Sequence, residues 1–157
     1  MPYDSIWGRL LNSIEIRAIN LGKPKWMRAF KRFGRMVLRE LNKEDWTVSV
    51  LLCDNSYIRA LNHTYRGQDC ATDVLSFSQK DSDTDFPCGP AGDVIISVEK
   101  AEEQAVNLEI TSNEELKRLL IHGILHLDGR DHESAGEGEM IVLQEELLVK
   151  YMGVKIF

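Results

Sequence analysis

Three of the chain's four histidines fall within eleven residues, His122-Gly-Ile-Leu-His126-Leu-Asp-Gly-Arg-Asp-His132, and this cluster constrains the fold more than any other stretch. At about 100° per residue, His122 and His126 lie about 40° apart on one helical face, so both imidazoles can reach one point from successive turns. Gly129 is placed to stop the helix and fold the chain back, which delivers His132 as a third nitrogen. The segment therefore demands a helix that ends in a tight turn beside its own last residues. Three neutral imidazoles around Zn²⁺ leave a fourth position open for water, as in catalytic rather than closed structural sites. The competing reading, histidines of the surface or core meeting by accident, suits a lone histidine better than three at this spacing.

The spacing is similar to the H-E-x-x-H-x-x-G-x-x-H pattern of metzincin proteases, with one chemical difference. Those enzymes use the Glu beside the first His as general base, whereas this chain has Gly123, which cannot transfer a proton. Peptide hydrolysis by that route is disfavoured. A glycine inside a helix also costs about 1 kcal/mol relative to Ala, so a close neighbour is expected at Gly123.

The eleven-residue segment resembles the H-G-x-L-H-L-x-G-x-D-H signature of the YbeY family of bacterial ribosomal-RNA maturation endoribonucleases at every specified position. Two further segments agree: Leu61-Asn-His-Thr-Tyr-Arg-Gly67 followed by Thr72-Asp-Val-Leu-Ser-Phe77, and Gly92-Asp-Val-Ile-Ile-Ser97. The likeness runs over about residues 46 to 152. Ala71 and Ser78 stand where family members commonly carry prolines, which bears on the stiffness of that loop. The resemblance implies a metal-dependent, single-strand-specific endoribonuclease acting at the 3′ end of 16S ribosomal RNA and in ribosome quality control. It implies Zn²⁺, one per chain, on His122, His126 and His132, and as partners ribosomal RNA and the small ribosomal subunit with its associated proteins, with no DNA.

At 157 residues and 43% apolar content, the chain suits one domain, spanning residues 1–157, with a substantial core. No apolar run approaches the roughly 18 residues a bilayer span needs. The start Met1-Pro-Tyr-Asp-Ser-Ile-Trp-Gly-Arg9 lacks a basic-then-apolar leader pattern, so a cytoplasmic location is expected. Cys53, Cys70 and Cys88, odd in number and irregularly spaced, fit reduced thiols.

A net charge of −6 taken alone argues against a nucleic-acid partner, but its distribution does not. Residues 1–66 hold 12 Lys+Arg against 6 Asp+Glu, while residues 67–157 hold 7 against 19. Lys23, Lys25, Arg28, Lys31, Arg32, Arg35 and Arg39 run with no acid among them until Glu40. Such a stripe can hold phosphates; a solvated helix face is the alternative.

Hydrophobic periodicity predicts an α+β domain, a four-stranded mixed β-sheet packed with about five α-helices, with the metal site on a helix and the turn after it. Strands are expected at Ser13–Ile19, Trp46–Leu52, Val74–Phe77 and Asp93–Ser97. Helices are expected from Pro24 to about Leu41, from an Asp54 or Asn55 cap to about Tyr65, at 98–107, at 112–127 behind a Ser112–Glu115 capping box, and from Glu133 to Met152. Gln79 to Pro90, rich in Asp, Ser, Gly and Pro, reads as a loop or hairpin.

The candidate catalytic residues are Arg66 and His122. Zn²⁺ would lower the pKa of its water to about 7 and polarise a phosphoryl oxygen, and the Arg66 guanidinium fork suits the charge that develops there. The resemblance implies a functional arginine at this position, whereas a structural Arg paired with Asp69 or Asp73 is the alternative. Asp131 or Asp128 could orient an imidazole, as a carboxylate behind a ligand histidine often does, or serve as base, or lie in a solvated turn. His63 reads as a surface residue near the RNA path. Besides the endoribonuclease, a metallohydrolase acting on a peptide or other substrate and a ribosome-associated binding protein with a structural metal stay open. The missing Glu counts against the first of these, and an open coordination position beside a basic groove would count against the second.

Overall fold

Alternating apolar side chains at Val48, Val50 and Leu52 make Trp46–Cys53 a strand with one face in the core and the other half-buried, and this strand (β2) organises the domain. The computed structural model describes residues 11–79, 89–129 and 137–157. In chain order the elements are β1 (Ser13–Ala18), α1 (Met27–Glu40), β2, α2 (Asn55–Arg66), β3 (Val74–Ser78), β4 (Gly89–Ser97), α3 (Val98–Asn107), α4 (Ser112–Leu127) and α5 (Glu137–Lys150). The sheet order is β1-β2-β4-β3. The first three strands of that order are parallel, with Ile14 opposite Val48 and Val50 opposite Val94, and β3 runs antiparallel at the edge, with Ser76 opposite Val94. The α+β architecture, four mixed strands and five helices match the expectation.

Two layers of apolar side chains hold the sheet. On one face, Phe30, Phe33 and Val37 of α1 join Leu120, Ile121 and Ile124 of α4 over Val48, Val50, Val94 and Ile96. On the other, Ile58 of α2 covers Cys53, Leu75 and Ile95. α4 is buried nearly all round, which is why its sequence shows weak amphipathicity despite its length.

Boundaries shift where local chemistry differs from the expected signal. α1 begins at Met27 because Pro24 sits in the turn before it, its carbonyl accepting from Met27 N–H at 3.2 Å. The capping box of α4 is Thr111–Glu114 rather than Ser112–Glu115: Thr111 Oγ1 accepts from Glu114 N–H at 3.1 Å, and Glu114 Oε2 from Thr111 N–H at 3.0 Å. β4 starts at Gly89, four residues before the expected strand, since β2 continues its ladder past Gly-Pro across a register shift between Thr47 and Val48. The expected start of the last helix, at Glu133, lies outside the described residues.

α5 and the segment after it are tied to α4 by a buried cation. Lys117 is 1% exposed, and its Nζ donates to the carbonyls of Tyr151 (3.0 Å), Met152 (3.4 Å) and Val154 (3.0 Å). Those carbonyls lie at and beyond the C-terminal end of α5, where helical acceptors run out of amide partners. Burial lowers the Lys117 pKa, an effect that Glu114 opposes. Ile156 N–H adds a bond to Asn113 Oδ1 at 2.8 Å.

Candidate functional site

The last two turns of α4 carry His122 and His126, each half-buried. Their Nε2 atoms lie 2.9 Å apart with the rings at 70°, so the two imidazoles converge as their four-residue spacing predicts. His122 Nδ1–H donates to Gln144 Oε1 at 2.9 Å, an arrangement that leaves the Nε2 lone pair pointing at the shared position. Gly129 (φ 77°) then turns the chain, its N–H bonding His126 O at 3.0 Å. His132 and Asp131 lie outside the described residues. Among those described, no third metal-ligating side chain joins the pair.

The donor set fits a nitrogen-preferring divalent ion. Two nitrogens at about 2.0–2.1 Å from one tetrahedral ion stand roughly 3.3 Å apart, within a small ring rotation of what is found. The negative end of the α4 dipole adds a favourable field for a cation at His126.

Gly123 places this helix. A Cβ there would stand 2.5 Å from Val94 Cγ1 and 3.3 Å from Ser76 Oγ, so α4 lies against β4 and β3 with no room for a side chain. The close neighbour expected at Gly123 is thus Val94, and the position cannot hold the glutamate of a metzincin. Ser76 Oγ–H also reaches Gly123 O at 3.4 Å.

A groove of about 610 Å³ opens over the imidazoles, walled by α2 (Asn62, Arg66), by Gln68, Thr72 and Asp73, and by β3. Asp54 starts α2 by accepting from Tyr57 N–H at 2.9 Å. Arg66 ends it, and the side chain is exposed on the groove wall. The two carboxylates that could have made Arg66 structural are engaged elsewhere. Asp69 takes a two-pronged bond from Arg59, at 2.9 and 3.1 Å. Asp73 accepts from Val74 N–H at 2.8 Å and from Gln104 at 3.2 Å. Arg66 has no ion pair among the described residues. Buried Asn62 donates to Cys70 O at 2.9 Å and holds the 68–72 segment in place as a wall. His63 is exposed on α2.

Asp128 caps the end of α4 and forms an ion pair with Lys43, whose ammonium lies 4.8 Å from the centre of the Trp46 ring. The residue behind His122 is instead Gln144, 8% exposed on α5, which sequence reasoning missed. A signal existed: Met140, Gln144 and Leu147 repeat at i, i+4, i+7, an amide on an otherwise apolar stripe. Behind His122 a second cavity, of about 350 Å³, is lined by Asp73, Gln104, Glu115, Arg118 and Gln144. Glu115 is 2% exposed, and burial raises its pKa against the pull of Arg118. Burial likewise pushes the Cys53 thiol up to about 12, and both Cys53 and Cys70 are free thiols, while Cys88 is outside the described residues.

Fold and site together define a single-domain α+β protein whose histidine pair, carried on a core helix, forms the floor of a polar groove. The sequence profile described as Endoribonuclease YbeY matches residues 13–152, so the chain belongs to the YbeY endoribonuclease family. The match takes in β1 and α1, beyond the likeness that starts near residue 46. A protein of Treponema denticola named Endoribonuclease YbeY is 44% identical over 134 residues, covering 81% of this chain and 84% of that one. One of Treponema pallidum with the same name is 38% identical over 150 residues, 92% of each chain. The solution structure of a Thermotoga maritima protein superposes with a TM-score of 0.63 at 29% identity, covering 89% of both chains.

Proposed function

We propose that this chain is a metal-dependent endoribonuclease that cuts single-stranded RNA in the groove between α2, β3 and α4, acting at the 3′ end of 16S ribosomal RNA and in ribosome quality control in the cytoplasm. The observation that carries the reading is the pairing of convergent His122 and His126 nitrogens with Arg66, which has no ion pair among the described residues, across one groove. His122, His126 and His132 would hold one Zn²⁺. Bound there, the ion would supply a water of lowered pKa and an electrophile for a phosphoryl oxygen.

The chain's own groups supply the rest. Gln144 holds the His122 ring in one tautomer and orientation. Arg66 offers a forked, permanently charged donor to the phosphate oxygens as negative charge builds on them. The edge of β3 and the Asn62-anchored segment face each other across the groove, and a single strand laid between them would meet both the imidazoles and Arg66. The small ribosomal subunit and its proteins are the expected partners. No described helix is long and apolar enough to cross a membrane. Peptide hydrolysis is disfavoured by the packing at Gly123 as well as by its chemistry.

The test is metal analysis of the purified protein combined with cleavage of a ribosomal-RNA fragment that carries a single-stranded 3′ extension. About one zinc per chain, with cutting in the single strand that chelator abolishes and zinc restores, is expected. Cutting that persists after verified metal removal would refute the metal-dependent mechanism.

A further inference from the structure

The exposed face of α1 is a row of arginines with a geometry of its own. Arg28, Arg32, Arg35 and Arg39 follow at i, i+4, i+7 and i+11, which places all four within about 60° of one helical face. All are exposed, and they lie opposite the stripe of Phe30, Phe33 and Val37 that packs into the core. Over eleven residues at about 1.5 Å each, the row is about 16 Å long, enough to meet several consecutive phosphates. None of the four has an ion pair among the described residues. The nearest acid on the helix, Glu40, is taken by Lys150 and Tyr151.

Arg39, in the last turn, complements the helix dipole, but the row as a whole does not serve the helix. Like charges at i, i+3 and i, i+4 (Arg28–Arg32, Arg32–Arg35, Arg35–Arg39) repel one another, and a merely solvated face would interleave acids. α1 also has no side-chain N-cap bond and no acid in its first turn to offset the basic residues there. In a chain of net charge −6, this is a concentrated patch of the opposite sign. It packs beside β1, at the end of the sheet away from β3 and the groove.

We propose that the α1 arginine row is an exosite for the phosphate backbone of RNA, gripping the part of a structured substrate that lies outside the groove. The proposal rests on the RNA reading of the groove, but its function is separate: it holds substrate and takes no part in bond breaking. Guanidinium forks spaced along a helix suit successive phosphates and read no sequence.

The test compares wild type with Arg28→Gln/Arg32→Gln/Arg35→Gln/Arg39→Gln and with the matching all-Lys variant, on an eight-nucleotide single strand and on a long RNA hairpin with a single-stranded tail. All positions are exposed, and circular dichroism would verify folding. For the Gln variant, affinity for the long RNA should fall at least about tenfold at physiological salt. Its log Kd against log salt slope should drop by roughly 3, at about 0.7–0.9 for each phosphate no longer neutralised. The Lys variant should retain most of both. Single-turnover cutting of the eight-mer should be unchanged in both. Equal affinity and salt slope for wild type and Gln variant on the long RNA would overturn the proposal, as would a row that binds anionic lipid vesicles but not RNA. Arginine-dependent RNA binding by a chain that cleaves nothing would refute the groove's function and leave the exosite standing.

Discussion

Gly123→Ala offers a sharp test of how α4 is positioned, because two opposing terms of known size meet at one atom. The added methyl contributes about 1 kcal/mol of helix propensity. It must also enter a space where Val94 Cγ1 would lie 2.5 Å away, about 1 Å closer than the 3.5–4.0 Å of ordinary carbon contact. Val94 cannot turn aside: it is fully buried and β-branched, and its other methyl would already be at 3.0 Å. Nor can the strand retreat, since β4 is held between β2 and β3. Overpacking a core by one methyl typically costs 1–3 kcal/mol, and the severity of this contact argues for the upper half. The net loss should be about 1–2 kcal/mol, which for a domain of this size lowers Tm by roughly 2–8 °C. Differential scanning calorimetry on wild type, Gly123→Ala, Val94→Ala and the double variant would measure it. The double variant should be more stable than the sum of the single effects by about 1 kcal/mol or more, since deleting the Val94 methyls relieves the clash. A rise in Tm for Gly123→Ala alone would refute the reasoning, because only the propensity term would then be operating.

Three further outcomes are expected. Gln144→Leu should weaken zinc binding by about 10–100-fold, the usual effect of removing a hydrogen-bond partner behind a ligand histidine; an unchanged affinity in competition with a chromophoric chelator would show that Gln144 does not orient His122. Arg66→Ala should slow single-turnover cleavage by about 10²-fold or more while leaving metal content and RNA affinity nearly intact, and a normal rate would demote it to a structural residue. Glu115 binds its proton more tightly folded than unfolded, so its contribution to stability falls as pH rises from its ordinary 4.5 through the raised folded value. Glu115→Gln should therefore gain stability relative to wild type at pH 8 over pH 5 in urea titrations, and an equal difference at both pH values would contradict the assignment.

Much of this fold was legible because strong local signals and tertiary packing agree. α3 and α4 fall on the expected residues, and Gly129 turns the chain where the histidine spacing demands. The errors arise where a neighbour overrides local composition. Gly89-Pro90 reads as the end of a loop or hairpin, yet β2 recruits it into the sheet as the start of β4. Glu115 resembles a capping-box acid, yet Thr111 and Glu114 form the box and leave Glu115 buried. In the site, the convergence of His122 with His126 follows from helical period alone. Gln144 belongs to a separate helix 22 residues further on, and only the packing of α5 on α4 brings it to His122.

That dependence gives the chain a history during its synthesis. α4, with both imidazoles, is complete while the ribosome still has Gln144 and the three carbonyls that hold Lys117 to add. A nascent chain at that stage has a charged lysine facing a core not yet closed and a His122 ring free to adopt either tautomer. With α5 docked, its end and the segment after it satisfy that ammonium. Orientation of His122 therefore depends on α5 lying against α4, and a chain stalled before Gln144 carries the histidine pair without the amide that aligns it.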